Sequence, residues 1–246
     1  MVEVKKINMD IFSSLAVLGL MGLVHASFQL SVGAFTLMSG HAIGAKKSQA
    51  KLFRLSAAYI FGMGVMSLLL LSLSVLICIH LFSHGIPLLA WAIGSAIALG
   101  IGIAVWLFYY RRQKKGTELW IPRAFASHLT QRSTATRHSV EAFSLGLTTV
   151  IAELIFIIPS LILGAFTVLQ LPGMWQLAGV GLYTIISLLG VGITWVLVGS
   201  GHSMSRIQKW REKNKTFLQF SAGSALIVIG FFVYVNQVVA AMPGAL

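Results

Sequence analysis

One cysteine, six acidic residues and five prolines are all that 246 positions hold of those types, and each scarcity excludes something. With Cys78 alone, an intramolecular disulfide, a dithiol relay and a cysteine metal cage are impossible. Cys78 reads as a small apolar packing residue. Charge is equally scarce: 10% of residues are charged against 57% hydrophobic, and the mean hydropathy is +0.87, far from a soluble globular domain. No nucleophile with an adjacent base, no HExxH and no phosphate-cradling loop occurs. No enzymatic activity, cofactor or resident metal is therefore expected.

What the chain does have is long apolar runs. Six of them, at about 11 to 39, 52 to 83, 87 to 110, 140 to 169, 174 to 199 and 216 to 241, reach the roughly 20 residues that a helix needs to cross a bilayer. The expected fold is an all-α integral membrane protein with six transmembrane helices. A signal peptide is the competing assignment for the start, where Lys5 and Lys6 precede an apolar stretch and Val24-His25-Ala26 resembles a cleavage site. Cutting there would leave about 13 residues of the run, too few to span, so the first helix is expected to be retained.

Cations set the orientation, because positively charged loops stay cytoplasmic. All of the 18 lysines and arginines except Lys5 and Lys6 fall in three places: after the first run, between the third and fourth, and between the fifth and sixth. Both termini are therefore expected outside, in the cell membrane. The net charge of +12 follows this alternation and needs no nucleic-acid partner; a basic face for anionic lipid suffices. The long polar segment RRQKKGTELWIPRAFASHLTQRSTATRH divides the chain into residues 1–110, a basic linker at 111–138 and residues 139–246. Three helices on each side make the halves inverted repeats. LGL then GAFT occur at 18–20 and 33–36, and again at 145–147 and 164–167.

Four segments, KLFRLSAAYIFGMGVMSLLLL, GLTTVIAELIFIIPSLILGAF, GLYTIISLLGVGITWVLVGSG and KTFLQFSAGSALIVIGFFVYV, resemble the second, fourth, fifth and sixth helices of the lysine exporter (LysE) superfamily. They resemble equally its relatives, the six-helix electron transporters of cytochrome c maturation. The resemblance implies two inverted three-helix repeats with both termini outside. The electron transporters carry a Pro-Cys pair in the first and fourth helices; here Pro159-Ser160 stands in the fourth and HASFQLSVGAF in the first, which excludes thiol electron transfer.

Glu153 is the one carboxylate expected deep in the bilayer. Ionised there, it costs at least a few kcal/mol, so it should face a cavity or a partner, or be protonated. On a straight helix Thr149, Glu153 and Ser160 share a face, and Pro159 is expected to kink that helix and free the carbonyl of residue 155. In the first run His25 and Gln29, four residues apart, lie on one face with Gly22 and Gly33 beside them. In an inverted-repeat arrangement they would meet Glu153. The candidate solute- or ion-binding residues are thus Glu153, Thr149, Pro159, Ser160, His25 and Gln29. The plain alternative is interhelical hydrogen bonding without transport.

Other features carry less. His80 and His84 lack a third metal ligand. Small residues at Ala92, Ala96 and Gly100, and at Gly94, Ala98 and Gly102, fit helix packing. Trp91, Trp106, Tyr109, Trp120 and Trp175 read as interfacial anchors, and Asn236 and Gln237 as solvated. The function expected is a secondary transporter or exporter of a small solute or cation, possible homo-oligomerisation included, working in the lipid bilayer. The alternative is a non-transporting scaffold or assembly factor that docks a partner through the basic loops.

Overall fold

The computed structural model describes residues 10–28, 30–42, 49–83, 85–108, 110–113, 116–119, 123–200 and 204–242. The elements are α1 (Ile11–Ser27), α2 (Leu30–Ala42), α3 (Gln49–Leu81), α4 (Leu88–Phe108), β1 (Tyr110–Gln113), β2 (Gly116–Leu119), α5 (Arg123–Ala135), α6 (Ser139–Ala152), α7 (Leu154–Gln170), α8 (Gly173–Ser187), α9 (Leu189–Gly199), α10 (Met204–Lys213) and α11 (Lys215–Tyr234), the last running into a π-turn at Val235–Val239. Apart from the β1–β2 antiparallel hairpin, these described elements are helical.

Three helical stretches are long and apolar enough to cross a membrane: Phe53–Leu81, Leu88–Phe108 and Lys215–Val239. The count rises to as many as six if each of three bent pairs forms one span. The pairs bend by 48° between α1 and α2, 78° between α6 and α7 and 45° between α8 and α9. Half-helices such as α6, with 14 residues, fall short of the roughly 20 needed to span alone. Large apolar side chains stand on the outside, among them Leu177 at 80% and Ile185 at 68% exposure. Such a surface is compatible with a multi-pass membrane protein and unusual for a soluble one.

Glycines let the helices approach closely where it matters. At Gly62 of α3 a side chain would strike the Phe143 carbonyl, and at Gly146 of α6 it would strike the Tyr59 carbonyl, so the two helices touch backbone to backbone. Of the two small-residue stripes on α4, that at Gly94, Ala98 and Gly102 is buried against α7 and α11, whereas nothing stands within 4 Å of a side chain added at Gly100. Only the first is a packing seam. The 111–138 segment is more than a linker: it contains most of the hairpin, together with α5, which packs on α2 and α6.

Trp91 is 3% exposed and meets Phe166 edge-on at 5.0 Å, a core residue and not an interfacial anchor. Trp106 does lie at the surface, stacked on Phe220 and donating to its carbonyl at 3.0 Å, and Trp175 is 38% exposed. Gln237 is not solvated: it is 5% exposed, in the π-turn, and accepts a hydrogen bond from Gln170 at 2.8 Å. Asn236 is half-buried and donates to the Phe232 carbonyl. Cys78 is buried. Tyr109, Trp120 and His84 lie outside the described residues.

Candidate functional site

The three helix breaks meet at one place. His25, in the last turn of α1, lies with its Nε2 4.0 Å from Oε2 of Glu153, the residue between α6 and α7. The other ring nitrogen, Nδ1, is 3.1 Å from the Tyr183 hydroxyl, one turn before the α8–α9 break. Gly190, in the first turn of α9, sits so close to the Ala26 carbonyl that an added Cβ would lie 2.7 Å from it. At Gly22 the same test gives 2.9 Å to the Tyr183 carbonyl, so α1 and α8 are in backbone contact along the last turns before the site.

The break in the fourth apolar run falls at Glu153 itself. The Glu153 backbone is at φ −83°, ψ −4°, closing α6 and opening α7. Its carbonyl accepts from the N–H groups of Phe156 at 2.9 Å and Ile157 at 3.2 Å. Pro159 was expected to bend the chain, yet it lies inside α7 and the helix continues through it. The bend therefore comes six residues before the proline and two before the carbonyl of residue 155 that the proline is expected to free. The straight-helix arithmetic that put Thr149, Glu153 and Ser160 on one face does not carry across a 78° turn. Thr149 stays on α6, its hydroxyl donating to the Leu145 carbonyl at 2.7 Å. Ser160 is buried on α7 at 1% exposure, its hydroxyl without a hydrogen-bond partner.

Both His25 and Glu153 are 1% exposed. At 4.0 Å the pair is beyond hydrogen-bonding distance, and His25 Nε2 has no hydrogen-bond partner. A small displacement, a water or a proton transfer changes this contact more than it would a closed hydrogen bond. Phe28 stacks on Phe156 at 5.2 Å, placing an aromatic pair beside the site from the α1–α2 and α6–α7 breaks. Gln29 lies outside the described residues.

Three further residues join the cluster without having been singled out in the sequence. Tyr183 is one, through its contact with His25 Nδ1. Tyr59, fully buried on α3, is hydrogen-bonded to the Thr149 side chain and lies near both Glu153 and Arg211. Arg211 belongs to α10, a polar helix, and its guanidinium approaches α2, where a side chain at Gly33 would lie 3.7 Å from it. An aromatic in an apolar run and an arginine in a basic loop look ordinary one at a time; only the contact reveals them. Among the described residues no group of three or more His, Cys, Asp or Glu side chains is arranged to hold a metal ion.

The Tyr183 contact is directly testable. Tyr183→Phe removes the partner of His25 Nδ1 and leaves a second ring nitrogen without one, which costs about 1–3 kcal/mol. The expected result is a lower thermal unfolding midpoint for the purified protein. An unchanged midpoint would mean that Tyr183 does not hold the ring.

Comparison of the chain with family models, with curated proteins and with solved structures finds no match.

Proposed function

We propose that the chain is a secondary transporter or exporter of a small solute or cation in the cell membrane, with a proton-linked step at Glu153. The observation that carries this reading is a carboxylate, buried to 1%, at a helix break and 4.0 Å from a buried histidine of the other half of the chain. Intramembrane carboxylates are costly and commonly mark ion or proton pathways. Broken helices around a central site are a recurrent transporter device, because half-helix ends expose backbone groups where a solute binds. His25, Gln29, Thr149, Pro159 and Ser160 belong to the same reading, joined by Tyr59, Tyr183 and Arg211.

The halves are two inverted three-helix repeats, α1/α2 with α3 and α4, and α6/α7 with α8/α9 and α11. The breaks support this, since LGL precedes the break and GAFT follows it in both the first and the fourth span. It also agrees with the resemblance to the LysE superfamily. The direct test is uptake and efflux by reconstituted vesicles across a panel of cations and amino acids, with and without a pH gradient. Solute movement that follows the gradient is expected; a chain inert to the whole panel would favour a scaffold acting through its basic loops.

Orientation has its own test. With Cys78 replaced by serine, single cysteines at Gln131 and Arg206, both exposed, are expected to resist an impermeant thiol reagent applied to sealed cells. A cysteine at Met174, 84% exposed before α8 turns back inward, is expected to react. The reverse pattern would invert the topology. Ser133, which the loop charge alone would recommend, is unsuitable: it is 1% exposed and its hydroxyl donates to Leu129.

A further inference from the structure

Between α5 and the first half of α6 lies a groove of about 360 Å³, near the small end of the ~300–1,000 Å³ range of ligand pockets. His128 and Arg132 line it from α5; Val140, Glu141, Ser144 and Thr148 line it from α6. It thus offers both signs of charge. Glu141 is held in place by the start of α6: its Oε2 accepts the backbone N–H groups of Arg137 at 2.7 Å and His138 at 3.1 Å. The groove also opens onto the apolar exterior. Val140, Ser144, Thr148 and Ile151 succeed one another along one side of α6, with Val140 79% and Ile151 45% exposed.

We propose that this groove binds a phospholipid whose headgroup combines a phosphodiester with a primary ammonium, of which phosphatidylethanolamine is the simplest. The phosphate oxygens accept from the Arg132 guanidinium, whose planar fork suits them, and from His128. The ammonium donates to Glu141, and an acyl chain lies along Val140 and Ile151. A net charge of +12 by itself favours anionic lipid. In this groove, however, an anionic headgroup would meet Glu141 as a repulsive neighbour, whereas a primary ammonium finds in it an acceptor. A choline headgroup has no N–H to donate. The site rests on the chain lying in a bilayer and not on its transporting anything.

The test uses the full chain in vesicles holding equal fractions of phosphatidylethanolamine, phosphatidylcholine and phosphatidylglycerol, with the lipids retained after detergent extraction counted by native mass spectrometry. Phosphatidylethanolamine is expected to exceed phosphatidylcholine by about tenfold, the effect of one charge-assisted hydrogen bond. Arg132→Gln should abolish retention. Glu141→Gln, which still caps the helix through its amide oxygen, should erase the preference over phosphatidylcholine. Lys209→Gln, the same loss of charge on α10, should change nothing. Ser144→Trp fills the groove without altering charge and should also abolish retention, so a folding defect in one variant does not decide the matter. Equal retention of the three lipids, or retention by Arg132→Gln, would overturn the site. Preference for phosphatidylglycerol, enhanced in Glu141→Gln, would overturn the ammonium contact. Displacement by millimolar soluble phosphoethanolamine would overturn the bilayer as the source of the ligand.

Discussion

Glu153→Gln is expected to lower transport by at least about tenfold, roughly 1.4 kcal/mol, and to flatten its dependence on pH while the protein still folds. Glutamine keeps the shape and one oxygen acceptor but cannot exchange a proton. If the step at the α6–α7 break is the transfer of a proton or the exchange of a cation against Glu153, the solute loses its coupling group. His25, 4.0 Å away and also buried, would lose the charge that faces it. Removing one member of a buried charged pair can itself destabilise strongly, so a thermal unfolding measurement must accompany the flux. Ser160→Ala separates polarity from charge. The Ser160 hydroxyl is buried without a hydrogen-bond partner, so its loss should leave substantial transport with an unchanged pH profile, and stability unchanged or raised by up to about 1 kcal/mol. A folded Glu153→Gln protein with the unmutated rate and pH profile would reduce Glu153 to an interhelical contact.

The second large effect is expected at the α3–α6 contact. Gly146→Leu drives a side chain into the Tyr59 carbonyl, with the Met63 amide only 2.9 Å from the new Cβ. Backbone atoms cannot turn aside as a rotamer can, so the two helices must separate. Overpacking costs about 1–3 kcal/mol even where side chains can give; here a loss at or above the upper figure is expected, about 6 °C or more in unfolding midpoint for a chain of this size. Gly62→Leu should behave alike against the Phe143 carbonyl. Gly100→Ala, where nothing stands within 4 Å, should be neutral or gain up to about 1 kcal/mol in helix propensity. The consequence reaches the site, since Gly146 precedes Thr149 by one turn and Thr149 is bonded to Tyr59. Equal midpoints for Gly146→Leu and Gly100→Ala would show that the close approach is dispensable.

Hydropathy was sufficient for the coarse architecture, helices with three to six membrane-length apolar stretches. Six apolar runs, a cation pattern and one carboxylate far from any loop are properties of composition along a line, and transfer from water to an apolar medium acts on each segment almost independently. That the chain is helical with apolar segments of membrane length, and that Glu153 is buried, follow from that alone; which runs stay unbroken does not. His25 as its partner was accessible too, from polar residues on one face of the first run, although their meeting depended on an assumed arrangement of the halves.

Tertiary structure decided where the helices break and which side chains converge. Nothing in Ile151-Ala152-Glu153-Leu154 is a helix breaker, and the nearby proline marks residue 155 while its own helix continues through it. A break at Glu153 forfeits intrahelical hydrogen bonds, a local loss that only contacts made elsewhere can offset. Those contacts join residues remote in sequence, 158 positions apart for His25 and Tyr183. The same reason applies to Trp91, Gln237 and Arg211. Aromatics and amides near a predicted interface, and a cation in a basic loop, suit solvent or headgroups equally well by composition. Their placement was decided by what the neighbouring helices presented: Phe166 to the buried Trp91, Gln170 to the buried Gln237 and the small Gly33 to the half-buried Arg211.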